Sequence, residues 1–203
     1  LDQLIDSHFA IFMQPSMFET QEFLALIPIL IGLRNCKLME LLDKSEVGTI
    51  FALSWVITWF SHVIQNQRDI QRIFLFLEKY DPHMVLYLSA AIVVHKEKDI
   101  LALEAEMSTV HHFLCQIPKK EKLPLDQLLM DATEAFSRWP PDILKRKLGD
   151  YRRSRLRLQQ YNMIKGFTRN MLPSLTNLLT ANPRTALVVL IFASAFATKF
   201  VYS

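Results

Sequence analysis

Glycine is scarce in this chain of 203 residues, which contains only Gly32, Gly48, Gly149 and Gly166. No two of them lie close enough in sequence to form a glycine-rich loop that cradles a phosphate. A G-x-S-x-G nucleophile elbow is absent as well. The sequence therefore argues against a P-loop or a dinucleotide-binding fold, and it contains no recognisable small-molecule active site or cofactor site.

Cysteine is nearly as rare, since Cys36 and Cys115 are the whole set. Their number and spacing argue against a disulfide scaffold and against a zinc site, and we expect two buried free thiols. The adjacent His111 and His112 would point about 100° apart on a helix, and no cysteine or acidic ligand set surrounds them. The sequence predicts no metal site.

Acidic residues are almost missing from the C-terminal third. Residues 138–203 contain 12 Lys and Arg but two Asp and Glu, a net charge of +10. Residues 1–137 contain 11 Lys and Arg against 18 Asp and Glu, a net charge of −7. The formal total of +3 therefore conceals an acidic body followed by a basic tail.

The apolar residues recur at helical spacing almost throughout, and no segment alternates convincingly like a strand. The sequence predicts an all-α, irregular helical array. Ser16 and Glu19 form a capping-box pattern, Pro28 should kink or split the helix that follows, and Asp69 should cap a helix through Glu78. Further helices are predicted over about 37–43, 82–96, 107–116, 124–138 and 142–165.

Two apolar segments are long enough to consider for a membrane. The first, Thr49–Ile64, contains 16 residues, which is short of the roughly 20 needed to span a bilayer. We therefore expect it to be a helix buried on all sides in the core, with Trp55, Trp59 and Phe60 packed inside.

The second apolar segment, Thr185–Ser203, would measure about 28 Å as a helix. It could span the bilayer if Lys199 extends to the far interface, with Arg184 marking the near one. The basic residues before it place that side in the cytosol by the positive-inside tendency. A terminal core helix and an interfacial helix are the alternatives.

The segment around the tryptophans resembles a known family. Residues 46–62, EVGTIFALSWVITWFSH, are similar to the tryptophan-containing helix late in the TBC domain of Rab GTPase-activating proteins. Residues 70–80 resemble the segment that follows in that family, with Phe74 and Leu75 in place of its usual Trp-Asp pair. Residues 82–104 then match the pattern of the closing helices. This resemblance implies the fold of the C-terminal half of a TBC domain.

Two more stretches are similar to a family member that is anchored in the endoplasmic reticulum by a C-terminal transmembrane segment. They are residues 12–17, FMQPSM, and residues 108–118, STVHHFLCQIP. The resemblance covers about residues 8–142 and the final anchor. It predicts a TBC part over 1–118, a closing helix over 119–142, a basic amphipathic linker over 143–183 and an anchor over 184–203.

The residues that carry out catalysis in this family have no counterpart in the sequence. Family enzymes use an arginine in an I-x-x-D-x-x-R motif and a glutamine in a Y-x-Q motif, and neither motif occurs in these 203 residues. The resemblance therefore implies a Rab GTPase as partner on a cytosolic membrane face. It also implies a role in vesicle transport between endoplasmic reticulum and Golgi. It implies no catalytic residue in this chain, which we expect to be inactive alone.

Other functions stay open at this stage. A tail-anchored helical interaction protein without GTPase-activating chemistry would also combine a tryptophan-rich helix with a C-terminal anchor. The basic residues of 145–169 could bind an anionic cytosolic leaflet or form a solvated charged linker. Nucleic acid is not expected as a partner, because no aromatic platform for stacking bases accompanies these charges.

Overall fold

The computed structural model of the protein describes residues 5–120 and 123–181. Every regular element in these ranges is a helix, which confirms the predicted all-α class. The chain divides into two compact units, residues 1–148 and 149–203. A π-helical turn (Ile5–Phe9) and two 3-10 turns (Ala10–Met13 and Ile50–Ala52) accompany the α-helices. These are α1 (Phe18–Leu24), α2 (Leu26–Arg34), α3 (Cys36–Lys44), α4 (Leu53–Ile57), α5 (Gln67–Leu77), α6 (Met84–His95), α7 (Glu97–Leu101), α8 (Met107–Lys120), α9 (Leu125–Arg138) and α10 (Pro141–Ala181).

Helix α6 lies at the centre of the first unit, in contact with α2, α4, α8 and α9. Its sequence, MVLYLSAAIVVH, is uncharged and apolar on every side, and nine of its residues are buried. Complete burial of each Val or Leu side chain contributes about 1.5–3 kcal/mol. The hydroxyl of Ser89, which is also buried, donates to the carbonyl of Val85 across 2.7 Å, so that this polar group is satisfied.

Helix α9 packs against α6 and buries Leu125 and Leu128 in its first half and Ala132 and Ala135 in its second half. The chain then leaves α9 at Trp139, whose carbonyl accepts a hydrogen bond of 2.5 Å from the Tyr87 hydroxyl on α6. Burial raises the pKa of Tyr87, because the charged phenolate is disfavoured away from water.

Helix α2 is joined to α9 by Arg34. Its guanidinium donates to the carbonyl of Asp131 across 3.1 Å and lies 3.9 Å from the carboxylate of Glu134. It also lies 5.9 Å from the centre of the Trp139 ring. Both α2 and α9 are therefore held to the central helix, α6, and to each other.

The predicted helix starts are partly right. The Asp81 carboxylate accepts from the amide of His83 across 2.8 Å just before α6, as its position before Pro82 suggests. The prediction for Asp69 is wrong. Asn66 caps α5 instead, since its side chain accepts from the amides of Arg68 and Asp69, and Asp69 is a first-turn residue.

The start of α1 also differs in detail from a full capping box. The hydroxyl of Ser16 accepts from the amide of Phe18 at 3.3 Å and donates to the Glu19 carboxylate at 2.8 Å. Glu19 therefore bonds the side chain of Ser16 and not its backbone amide. The predicted split of this helix occurs, but at Ala25 and not at Pro28. Pro28 lies in the first turn of α2, where its missing N–H costs little.

The free thiols are less buried than expected. Cys36 is exposed at the first position of α3, and Cys115 is half-buried on α8. The cap of α3 explains this placement. The Asn35 side chain accepts from the amide of Leu38 at 3.2 Å and donates to Glu97 on α7 at 2.7 Å. With the start of α3 held by these two hydrogen bonds, Leu38 and Leu42 are buried and Cys36 is exposed.

The expectation of one buried helix over Thr49–Ile64 is wrong. The segment forms the 3-10 turn Ile50–Ala52, the short helix α4 and a series of turns through residue 63. It is also not buried on all sides, because 56% of the Ile50 side chain and 37% of the Ile57 side chain are exposed. The cause is the conformation of Trp59 and Phe60, described below.

Helix α10 carries the basic part of the chain. Leu144 and Leu148 in its first turns are buried within the first unit. From Gly149 the helix belongs to the second unit, and residues 152–163 are exposed. No helix in the described ranges is both long and apolar enough to cross a bilayer. The predicted anchor over 184–203, with Arg184 and Lys199 at its flanks, lies outside the described residues.

Candidate functional site

Helix α4 ends in a Schellman motif, the arrangement in which two amides beyond a helix bond back to its last carbonyls. The amide of Phe60 donates to the carbonyl of Trp55 across 2.8 Å, and the amide of Trp59 donates to that of Val56 across 3.4 Å. The rings of Trp55 and Phe60 lie 6.0 Å apart, which is the apolar contact that usually accompanies this motif. The helix therefore stops at Ile57 although no glycine or proline follows it.

The motif requires a left-handed backbone, which Trp59 and Phe60 both adopt. Their φ angles are 47° and 65°. Left-handed conformations are normally filled by glycine, because a β-carbon approaches the following carbonyl and costs about 1–2 kcal/mol per residue. Such strain persists only where surrounding contacts over-determine it. Burial supplies those contacts here, since Trp59 is 2% exposed and Phe60 is fully buried.

The ring of Trp59 is held by aromatic side chains from the N-terminal turn and from α5. Its centroid lies 5.3 Å from that of His8 and 5.0 Å from that of Phe9, in the π-helical turn at the N-terminus. The third neighbour is Phe74 on α5, at 5.3 Å. Edge and tilted contacts of this kind contribute about 0.5–1.5 kcal/mol each beyond their buried area. Trp59 therefore fastens the N-terminal residues 5–13, which we call the N-terminal segment, to the core.

Two further contacts hold the N-terminal segment in place. The Nε2 atom of His8 lies 3.1 Å from the carbonyl oxygen of Tyr80, so that a proton on Nε2 can be donated to it. The ring of Phe12 meets Phe23 on α1 at 5.8 Å, and Phe23 in turn meets His83 at 5.1 Å. Since the rings of Phe12 and Phe9 lie 6.3 Å apart, a continuous series of rings runs from the start of α6, through α1, to Trp59.

The outer side of this region exposes apolar side chains. Met13, Met17 and Phe18 are 70%, 54% and 62% exposed. Three large apolar side chains within six residues form a surface that water solvates poorly, which is typical of a contact with another polypeptide. The N-terminal segment therefore packs on the core, and the chain from its last residue, Met13, to the start of α1 exposes an apolar surface.

A hollow with a volume of about 550 Å³ lies along α8. Its polar groups do not form a catalytic pair. The hydroxyls of Ser108 and Thr109 donate to the Glu106 carboxylate at 2.6 and 2.7 Å, and the amides of both residues donate to it as well. These bonds lower the pKa of Glu106 to about 2, because four donors stabilise the carboxylate. Glu106 therefore acts as the N-terminal cap of α8.

The described part of the chain does not indicate a metal-binding site or a reactive thiol. No group of three His, Cys, Asp or Glu side chains comes together there. Cys115 Sγ lies 3.7 Å from Nε2 of His111, one helical turn away, which is a pair and not a ligand set. Burial raises the pKa of the Cys115 thiol, which keeps it protonated and unreactive at neutral pH.

The structure brings together the three residues that the sequence singled out. Trp55 packs on Phe51 and Phe60, and Trp59 on the residues described above. Sequence analysis missed His8, Phe9 and Phe74 as neighbours of Trp59. The signal available for them was the density of aromatic residues near the N-terminus and in α5, which does not say which ring each one meets.

Comparisons with known proteins agree on one family. The sequence pattern of the Rab-GTPase-TBC domain matches residues 1–101. The chain is 37% identical over 147 residues to TBC1 domain family member 20 of Bos taurus and of Homo sapiens, which covers 72% of this chain and 36% of each relative. It is 32% identical over 132 residues to GTPase-activating protein gyp10 of Schizosaccharomyces pombe, covering 64% of this chain and 35% of that protein.

These matches concern a limited part of the relatives, since the chain spans just over a third of their length. The matched region contains the Schellman motif of Trp55–Phe60, the N-terminal segment that packs on it and the central helix α6. The chain therefore belongs to the Rab-GTPase-TBC domain family.

Proposed function

We propose that this chain is part of a Rab GTPase-activating protein, in which it forms the C-terminal part of the helical scaffold. The observation that carries the proposal is the family match over residues 1–101, together with the name of the yeast relative, a GTPase-activating protein. A Rab GTPase is the proposed partner. The exposed apolar side chains of Met13, Met17 and Phe18 form a surface that an adjoining polypeptide would cover.

The chemistry of such a protein depends on an arginine that stabilises charge on the transferring phosphoryl group, an effect of about 10³–10⁵ in rate. Two arginines of the first unit, Arg34 and Arg72, already interact with other residues of this chain. Arg34 bonds to α9, and Arg72 is paired with Asp126. The family's arginine and glutamine motifs are absent from these residues. We therefore propose that the catalytic pair is contributed by residues outside this sequence.

The test is single-turnover release of phosphate from a panel of GTP-loaded Rab proteins. The chain of 203 residues should accelerate none of them. A chain extended upstream to include an arginine and a glutamine in the family's motifs should accelerate at least one Rab. Replacing that arginine by alanine should remove the acceleration.

Two results would contradict the proposal in different ways. Clear acceleration by the 203-residue chain would show that catalysis resides in it. Failure of the extended chain on every Rab would favour the alternative function, a tail-anchored helical interaction protein without GTPase-activating chemistry.

We also propose that residues 184–203 anchor the protein in the endoplasmic reticulum with its body in the cytosol, where it would act on transport to the Golgi. The support is the apolar sequence between Arg184 and Lys199. The protein should stay in the membrane after carbonate extraction. Val189→Asp should release it, since an aspartate at the centre of a span costs about 2.5–3.5 kcal/mol. Gln71→Asp, at an exposed position of α5 in the first unit, is the matched control, and release of the unaltered chain would contradict the anchor.

A further inference from the structure

The second unit carries a concentrated positive charge on α10 that the proposed GTPase-activating function does not use. Residues 150–165 contain Arg152, Arg153, Arg155, Arg157 and Lys165 against a single acidic residue, Asp150. Residues 152–163 are all exposed. Large apolar side chains are interleaved with these charges, at Leu156, Leu158, Tyr161 and Met163, and each is between 58% and 61% exposed.

The order of these residues around the helix separates them into two sides. At about 100° per residue, Arg152, Leu156, Gln159 and Met163 fall within one stripe about 60° wide. Arg153 and Arg155 lie outside that stripe, one on each side and about 70–90° from its centre, and we call them its edge arginines. Leu158 and Tyr161 lie on the opposite side. We call the stripe with its two edge arginines the lipid face.

We propose that the lipid face binds an anionic bilayer surface. Leu156 and Met163 would enter the boundary between headgroups and acyl chains, and the three arginines would bond phosphate and carboxylate oxygens around them. An arginine on the edge of such a helix can lay its apolar stem along the boundary while its guanidinium stays among the headgroups. The proposal deepens the membrane association proposed above, and it predicts a preference for negative lipids that an apolar anchor alone would not produce.

The contacts of the arginines are compatible with this role. Arg153 donates to the Asp150 carboxylate at 2.6 Å, and Arg155 donates to the Tyr151 hydroxyl at 3.1 Å. Both bonds join side chains one helical turn apart on the surface of the helix, where such pairs contribute little, so that a lipid phosphate can replace them.

The interleaved side chains favour a bilayer over RNA as the partner. Single-stranded nucleic acid is bound by aromatic rings on which bases stack, combined with positive charge. The lipid face contains aliphatic Leu156 and Met163 and no aromatic ring, and Tyr161 lies on the other side of the helix. Aliphatic side chains lose contact with water favourably in a bilayer and have no comparable partner in a nucleic acid.

The experiment is flotation of the full chain with vesicles of phosphatidylcholine alone or mixed with phosphatidylserine. The chain carries Val189→Asp, so that insertion of the C-terminal segment does not dominate. We expect stronger binding to the vesicles that contain phosphatidylserine, and a difference that shrinks with added salt. The readout is the ratio of the two affinities, which an apolar contribution common to both vesicles does not change.

Two matched comparisons assign the effect to the lipid face. Replacing Arg152, Arg153 and Arg155 by Gln should reduce binding to phosphatidylserine vesicles on the order of a hundredfold, about fivefold per charge. Replacing the exposed Lys37, Lys44 and Lys79 by Gln, an equal loss of charge in the first unit, should change it little. Leu156→Ser with Met163→Ser should weaken binding, and Leu158→Ser with Tyr161→Ser should not.

Several results would overturn the proposal. They are equal binding to both kinds of vesicle, equal losses for the two triple variants, displacement by inorganic phosphate at matched ionic strength, or retention of polyuridine that exceeds vesicle binding. Circular dichroism of each variant checks that the helix is intact. Since flotation does not involve GTP hydrolysis, failure here would leave the proposed GTPase-activating function standing, and failure of that function would leave this surface standing.

Discussion

The amide of Phe60 donates to the carbonyl of Trp55 across 2.8 Å, and the residue between them that turns left-handed is Trp59. A bulky ring thus occupies a position that favours glycine. Its φ of 47° directs the indole away from the helix and toward His8, Phe9 and Phe74. The backbone strain at Trp59 is thereby offset by ring contacts that attach the N-terminal segment.

The first prediction concerns the left-handed backbone conformation of Trp59. Trp59→Ala and Trp59→Gly both lose the ring, at a cost of about 3–5 kcal/mol in the free energy of unfolding. Trp59→Gly should nevertheless be the more stable of the two by about 1 kcal/mol, because glycine adopts the left-handed conformation without strain. Urea unfolding of both variants measures the difference.

The control for this prediction is Ala91→Gly in α6, where the usual order applies. Glycine in a right-handed helix should lower the free energy of unfolding by about 0.5–1 kcal/mol. If Trp59→Gly were the less stable of its pair as well, the left-handed conformation of residue 59 would be refuted.

The second prediction concerns the N-terminal segment. Phe9→Ala removes one of the rings against Trp59, and we expect a loss of about 2 kcal/mol, less than for a fully buried phenylalanine because Phe9 is partly exposed. Tryptophan emission should shift to longer wavelength as water reaches Trp59. Met13→Ala, on the exposed outer side, should stay within about 0.5 kcal/mol and leave the emission unchanged. Equal effects of the two would mean that the segment is not packed.

The third prediction concerns the hydrogen bond between Tyr87 and the carbonyl of Trp139. Tyr87→Phe should cost about 1 kcal/mol, because the partly buried carbonyl of Trp139 loses its donor. The pKa of Tyr87 is raised by burial, so its contribution is fully present below the unfolded pKa of about 10 and is lost as the pH rises through the higher folded value. The free energy of unfolding should therefore fall above about pH 10 in the unaltered chain. Tyr87→Phe should flatten that decline, and Tyr161→Phe should not.

The fourth prediction concerns the cap of α8. The pKa of Glu106 is lowered from 4.5 to about 2 by four donors. Its contribution to stability is therefore present above about pH 4.5 and is lost as the pH falls toward 2. Glu106→Gln should lower the free energy of unfolding at neutral pH and remove this part of the acid decline. Glu104→Gln, two residues earlier in the chain, is the control, and an unchanged acid decline in Glu106→Gln would contradict the assigned cap.

Much of the helical array follows from local signals in the sequence. Pro28 lies in the first turn of α2, and Asp81 accepts from an amide just before α6, because these side chains act on backbone groups within a few residues. The uncharged sequence of α6 predicts a helix that is buried on all sides. Such features depend on neighbours along the chain, and for that reason they can be predicted without knowledge of the fold.

Other features were decided by distant contacts. Asn66 and Asp69 are equally good capping residues, and the choice between them depends on where the preceding turn places the chain. Thr49–Ile64 has no glycine or proline between residues 50 and 64, so its local sequence favours a continuous helix. The break at Ile57 arises because a ring about 50 residues away in sequence, Phe9, offers Trp59 a better environment than another helical turn would.

The family of the chain was determined by its sequence, because the motifs at residues 12–17, 46–62 and 108–118 are contiguous strings that can be compared directly. The tertiary structure alone decided which side of each element is available to a partner. Met13 and Phe9 are equally apolar, yet one is exposed and the other packs on Trp59. Small differences in helix propensity, below about 1 kcal/mol per residue, are outweighed by the burial of one aromatic ring.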